Sequence, residues 1–371
     1  MARILVTGGA GFIGSHTIDK LVALGHDVVS LDSLDPQVHG SGPDGPAWRN
    51  AGCAYVRGDC RDPAAVAQAL DGRTHVLHLA ARVGVAQSLL QAARYTDVNA
   101  YGTAVLLEAI AARRARIERL VVASSMSIYG EGLSLCRACG PIDRGVTRSP
   151  DGPHDPACPR CGSRLEPLPT PEEKAVEPGS IYALGKYYQE RACLSLAAAY
   201  GIPAIALRYF NVYGPRQALS NPYTGVAAIF CARILNGKRP HVFEDGEQRR
   251  DFVHVSDVVQ ANVLALSAPA SVAGAMNVGS GESRSILYVA RALIARLRPG
   301  LEPLVSNERR RGDTRHCFAD VKLATALLGY APRARFEDRI DELARAAMSA
   351  GPARDGFDQH HRELAERGLA A

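Results

Sequence analysis

Tyr182 and Lys186 stand four residues apart in the run Tyr182-Ala-Leu-Gly-Lys186, downstream of a Ser124-Ser125 pair that ends an apolar stretch. On a helix this spacing puts both side chains on one face, with the ammonium beside the phenol. A cation at that distance favours the phenolate, so a tyrosine that ordinarily titrates at about pH 10 can accept a proton around neutrality. Lys186 is one of five lysines among 43 Lys and Arg residues, which marks it out in an arginine-rich chain. The pair reads as proton-transfer machinery.

Such a pair needs a scaffold and a reaction partner, and the first third of the chain provides for both. The apolar strand Ile4-Leu-Val6 runs into Thr7-Gly-Gly-Ala-Gly-Phe-Ile-Gly14 and then into a helical pattern through Leu24. Glycines at 8, 11 and 14 lie where a strand turns into a helix, so the helix N-terminus can receive a pyrophosphate. The next strand, Val28-Val-Ser-Leu31, ends in Asp32, 18 residues beyond Gly14. A carboxylate there accepts hydrogen bonds from a ribose diol and repels a 2′-phosphate, which favours NAD over NADP. Strands continue at 54–57, 75–79, 120–123 and 204–207, with helical segments between them. The fifth strand delivers Ser124 and Ser125 to its carboxyl end, the edge where open parallel sheets bind ligands. The expected fold is α/β, a Rossmann doubly wound parallel sheet.

Composition excludes several alternatives. At 371 residues, 47% apolar and 22% charged, the chain can bury one large core or two smaller ones. A net charge of +5 is too diffuse to argue for nucleic acid. A strand beginning at Ile4 leaves no room for a signal peptide, and no apolar stretch reaches membrane-spanning length. The expectation is a cytoplasmic protein that binds neither nucleic acid nor membrane.

Five of the nine cysteines, Cys53, Cys60, Cys193, Cys231 and Cys317, are scattered and read as small apolar packing residues. The other four form Cys136-Arg-Ala-Cys139 and Cys158-Pro-Arg-Cys161, with 18 residues between the pairs and a glycine after each pair. Four thiolates at this spacing complete a closed tetrahedral zinc site, which implies a structural ion. Disulfides are disfavoured in a reducing compartment. The segment around the cysteines is rich in Pro, Gly, Arg and Asp, and has too few apolar residues to fold without a cross-link.

The ordered motifs resemble the extended short-chain dehydrogenase/reductase family, in its nucleotide-sugar epimerase and dehydratase branch. They are Thr7–Gly14, Asp32, Gly58-Asp59, His78-Leu-Ala-Ala81, Asn99, Ser124–Gly130, Tyr182–Lys186, Arg208-Tyr-Phe-Asn-Val-Tyr-Gly-Pro215, Arg250–Val255 and Arg310-Arg-Gly-Asp313. The resemblance implies an NAD-binding domain over 1–210 and a smaller mixed α/β substrate domain over 211–371, some segments of which cross back. A zinc-ribbon-like loop over 133–166 is inserted in the first domain. For the cofactor the resemblance implies Gly8, Gly11, Phe12, Ile13, Gly14, Asp32, Asp59, Cys60, Leu79, Ala80, Ala81, Asn99, Ser124 and Tyr209, together with Tyr182 and Lys186.

Catalysis is assigned by the same resemblance to Ser125, Tyr182 and Lys186. Ser125 is preferred over Ser124 because it lies four residues before Tyr129. The substrate, a nucleoside-diphosphate sugar, would meet Ser125 and Tyr182 at the sugar and Asn211, Arg250 and Arg310 at the diphosphate. Asp313 would meet a ribose and Phe243 a base, while the small Cys317 would leave room for a C2 substituent. The implied activity is inversion at C4 of a hexose of the UDP-glucose/galactose or dTDP-L-rhamnose type. Met126 and Ser127 stand where dehydratases of the family place an Asp-Glu pair, which disfavours dehydration. A 4-ketoreductase needs the same residues and stays open, as does a retired member using its insert for regulation. A homodimer is expected through the helices near 90–113 and 181–200.

Overall fold

The computed structural model describes all residues except 41, 43, 44, 149–151, 222–224, 352–354 and 371, so a short part of the inserted segment lies outside it. Seven parallel strands form the main sheet. Their spatial order is Gly274–Val278, Ala204–Tyr209, Arg119–Ser125, His75–His78, Arg3–Thr7, Asp27–Asp32 and Cys53–Arg57. The central strands are buried on both faces: Leu120, Val121 and Val122 are wholly inaccessible, as are Ile205, Ala206 and Leu207. Sheets covered by helices on both sides read as continuous apolar runs for this reason. Strand order reverses at Arg3–Thr7, and the crevice opens there, between the loops that follow this strand and His75–His78.

Six strands are legible in the sequence; the seventh, Gly274–Val278, is not. It returns to the main sheet from the second half of the chain, and its preceding helix Val255–Ser267 packs on the first helix, Phe12–Ala23. Asn262 Nδ2 donates to Thr17 Oγ1 across that contact (3.0 Å). The remaining C-terminal elements surround a small mixed sheet in which Asn211–Tyr213 and His316–Cys317 run parallel to Arg249–His254 and Ser283–Ser285 antiparallel to it. A separate apolar cluster centred on Phe230, Phe252, Leu293 and Ile340 holds this part together.

The inserted segment forms its own three-stranded sheet, Gly140–Ile142, Ser134–Cys136 and Leu165–Pro167. Among its described residues, Cys136, Ile142, Cys158 and Leu165 form a small buried apolar cluster. Half of that core is cysteine.

Candidate active site

A cavity of about 630 Å3 lies over the carboxyl ends of the main strands, and both halves of the chain line it. Of the residues expected at cofactor and substrate, all except Asn99 and Cys317 contribute to its wall.

The glycine turn is built for close packing. A Cβ on Gly14 would sit 2.3 Å from the Gly8 carbonyl oxygen, so no larger residue fits the turn. No side chain caps the helix Phe12–Ala23 and its first turn holds no acid, leaving its N-terminal amides open to an anion. Asp32 accepts from the Ala10 amide (3.0 Å) and the Leu34 amide (2.9 Å), which fixes its carboxylate at the cavity edge. Asp59 is already engaged by Arg61, whose hydrogen bonds hold it below the usual carboxylate range. Asn99 works from behind the wall. A π-helical turn, Asp97–Tyr101, buries it so that its amide accepts from Arg82 N (2.7 Å) and donates to Arg82 O (3.0 Å). It thereby holds the loop carrying Leu79, Ala80 and Ala81.

Tyr182 and Lys186 lie near the start of the helix Ile181–Tyr200, which Ser180 caps through the Ala183 amide (3.1 Å). Lys186 is buried and donates to Gln189 Oε1 (2.7 Å). Gln189 is anchored in turn by its amide nitrogen to Thr103 Oγ1 (2.9 Å), the Ala80 carbonyl (3.2 Å) and His78 (3.1 Å). Burial pushes the Lys186 amine down to about 7, with Cys193 and Glu190 opposing it. Burial also pushes the Tyr182 phenol up, and hydrogen bonding with Ser125 pulls it partly back. Lys186, expected from the spacing to depress the phenol, is not among the groups that shift it here. In this structure Gln189 orients the ammonium, and burial is the largest influence on both groups.

The two serines separate cleanly. Ser124 donates to Glu190 Oε2 (2.6 Å), and Glu190 is locked to Arg208 (2.7 Å). Ser125 instead accepts from the Ser127 amide (3.2 Å) and the Ser127 hydroxyl (2.9 Å). With its lone pairs so occupied, the Ser125 proton is free to point toward Tyr182. The sequence gives no sign that Ser127 and Gln189 act as orienting residues, because their value lies only in which groups they hold.

Arg250, Arg310 and Asp313 meet at one part of the wall. Arg250 is buried and donates to the Arg315 carbonyl (2.9 Å) and to Thr314 O. Arg310 pairs with Asp313 (2.7 Å) and lies over the Phe243 ring, 4.4 Å from its centroid. Burial alone would raise Asp313, yet Arg310, Arg250 and Arg148 hold it below the ordinary value. Asn211 Oδ1 and Gln217 Oε1 are buried acceptors and Arg82 Nε a buried donor without hydrogen-bond partners, a polar lining that suits a polar ligand. The helix Phe357–Glu366, missed in the sequence, adds Phe357 and His360 to the cavity. Its apolar spacing at Phe357, His360 and Leu364 was the available signal.

Cys317 does not reach the cavity. It is buried among Ile128, Tyr129, Phe210 and Ala319, behind the wall rather than on it. Cys317→Tyr is accordingly expected to overpack this cluster, costing about 1–3 kcal/mol, without altering selectivity between N-acetylated and plain sugars. Thermal melts and paired turnover measurements check this; a selectivity change at unaltered Tm would place the side chain against substrate.

The four clustered cysteines converge. The sulfurs of Cys136, Cys139, Cys158 and Cys161 all lie within 4.8 Å of one another, and Cys136 and Cys161 are 3.5 Å apart. Tetrahedral thiolates on one zinc stand about 3.8 Å apart at the usual bond length. Gly140 and Gly162 both adopt left-handed conformations (φ +79° and +75°), which turn the chain sharply after each pair.

Comparison with known proteins agrees with this geometry. The NAD dependent epimerase/dehydratase family matches residues 4–156 and 160–279. A dTDP-L-rhamnose 4-epimerase of Burkholderia thailandensis is 35% identical over 351 residues, covering 92% of this chain and 93% of that protein. A UDP-glucose 4-epimerase of Mycolicibacterium smegmatis is 32% identical, covering 91% and 96%. Among solved structures, the UDP-glucose 4-epimerase of Thermus thermophilus in complex with NAD superposes with a TM-score of 0.74. It is 32% identical and covers 94% of this chain and 99% of that one. The enzyme of the same name from Thermotoga maritima, with UDP-glucose, gives 0.75 at 30% identity and the same coverage. The glycine turn, the Tyr182–Lys186 helix and the extent of these matches together establish that the chain belongs to the NAD-dependent epimerase/dehydratase family, in its nucleotide-sugar epimerase branch.

Proposed function

We propose that this protein is an NAD-dependent nucleoside-diphosphate-sugar 4-epimerase. The observation that carries the reading is the presence of Ser125, Tyr182 and Lys186 in one cavity with the glycine turn and with Asn211, Arg250, Arg310 and Asp313. When bound, NAD supplies the oxidation and re-reduction of the sugar carbon. Tyr182 takes the proton of the C4 hydroxyl and returns it, and Ser125 holds that oxygen in line. Lys186 offers its ammonium to the cofactor ribose and to the phenolate. Phe12 and Ile13 present amides to the pyrophosphate, and Asp32 receives the adenosine ribose. Arg250 and Arg310 bind the diphosphate of the substrate, bidentate forks suited to phosphate oxygens.

A 4-ketoreductase would use the same residues but would consume reduced cofactor in proportion to product. The test is a panel of UDP- and dTDP-hexoses, the sugars for which the similar proteins are named. Isomer exchange without net NADH turnover is expected for at least one. Stoichiometric cofactor consumption, or no exchange with any sugar, would refute the reading.

The four cysteines are read as a structural zinc centre, closed by four protein ligands and hence without an open position for chemistry. Elemental analysis should find one zinc per chain. The exposed side chains of Tyr101, Leu184 and Tyr188 on adjacent helices favour a homodimer built on that face. Among the described residues no helix is long and apolar enough to cross a membrane. The nine unpaired cysteines suit a reducing compartment, in keeping with a cytoplasmic enzyme.

A further inference from the structure

The inserted segment does not stand apart from the cavity. Between its two cysteine pairs, the described residues 143–148 and 152–157 act as a strap that presses on the segments carrying Arg310 and Asp313. Arg148 donates to the Asp313 carbonyl and pairs with Glu244 (2.5 Å) and Glu131 (3.3 Å), all in surroundings with little exposure to water. Glu131 accepts from the backbone amides of Arg315 (2.7 Å) and His316 (3.1 Å). Asp155 accepts from the buried Arg315 guanidinium (2.7 Å), and the Gly152 carbonyl accepts from Arg309 (2.6 Å). Residues 309–316 are thus held from inside by Arg250 and from outside by the strap.

Resting on the nucleotide-sugar reading above, we infer that the four-cysteine zinc centre and its strap form the outer wall of the nucleoside-diphosphate subsite, with Arg148 positioning the Arg310–Asp313 turn. The physical reason is chain closure. Both ends of the strap leave the same cysteine cluster, so a metal there holds them together and removes most of the freedom the loop would otherwise have. The insert's own core is too small to do this. Arg148 is a positioning residue: it touches the carbonyl and carboxylate that set the turn and does not itself line the cavity.

The test uses the full-length protein with its bound cofactor, titrated calorimetrically with UDP and separately with dTDP. Zinc-loaded, chelator-treated, R148M and R148K forms are compared. Zinc removal and R148M should each weaken nucleotide binding by about 10-fold, with R148K recovering most of the loss and bound NAD per chain unchanged. In turnover, R148M should raise KM by a similar factor and leave kcat within about twofold. Unchanged nucleotide affinity in R148M, or after zinc removal from a protein that remains folded, overturns the inference. Should chelation unfold the chain, R148M retains the zinc and still reads the contact alone. Zinc-loaded wild type that holds NAD but takes neither UDP nor dTDP overturns the substrate reading, and this inference with it.

Discussion

Tyr182→Phe lowers the rate of sugar isomer exchange by about 10³-fold and leaves bound NAD and UDP affinity near their original values. The substitution removes one oxygen and keeps the ring that packs in the cavity wall. What disappears is the proton acceptor. Ser125 stays in place, because the Ser127 amide (3.2 Å) and hydroxyl (2.9 Å) still hold its oxygen. It has no base behind it, however, and cannot carry the proton away. The pH dependence sharpens the test. Burial holds the Tyr182 phenol above its ordinary value, with only Ser125 opposing, so the active phenolate fraction grows as pH rises. Wild-type kcat/KM should therefore climb with pH through the range of this group, and the climb should vanish in the variant. A loss smaller than tenfold would show that Tyr182 is not the base.

Lys186→Met lowers turnover by about 10²-fold, the cost of removing one charge-bearing donor from the reacting site. Its effect on stability runs the other way with pH. The buried amine has been pushed from an ordinary 10.5 down to about 7, first by desolvation. Between those values the unfolded chain holds a proton that the folded chain has released, so wild-type stability rises with pH across that window. The variant lacks this dependence. Its Tm relative to wild type should accordingly be most favourable at about pH 7 and should fall away toward about pH 10. Leaving Gln189 Oε1 without its donor subtracts a constant amount and does not change the trend. Melts of the cofactor-free proteins at several pH values check it; a Tm difference independent of pH would mean that Lys186 keeps its charge in the folded chain. The expected pH-dependent difference would show activity and stability pulling on this residue in opposite directions.

Much of the cavity was legible because its parts are local in sequence. The turn from Gly8 to Gly14 is one strand–helix junction, and Tyr182 and Lys186 are one turn of one helix, so spacing alone places them. Asp32 ends a strand whose apolar run is plain. The cysteine pairs are likewise short-range signals, and their convergence needed only that the loop between them close.

Other features depend on contacts between distant segments, which the sequence does not show. Cys317 was expected at the sugar. Pairing of His316–Cys317 with Arg249–His254 turns it into a packed cluster instead. Gly274–Val278 carries a weak strand signal and is a main-sheet strand only because Ala204–Tyr209 offers it an edge. Asn99 reads as a cofactor contact, yet the structure uses both ends of its amide to hold the Arg82 backbone.

From the amino acids alone came the class of fold, the dinucleotide turn, the Tyr182–Lys186 pair and the four clustered cysteines, each written in residues a few positions apart. Only the folded chain decided which hydroxyl is free, since Glu190 and Ser127 choose between Ser124 and Ser125. It also decided what governs the acid–base pair, because desolvation is a property of everything packed around a group. Sequence spacing reports geometry within an element; burial and hydrogen-bond choice arise between elements, and they set the chemistry.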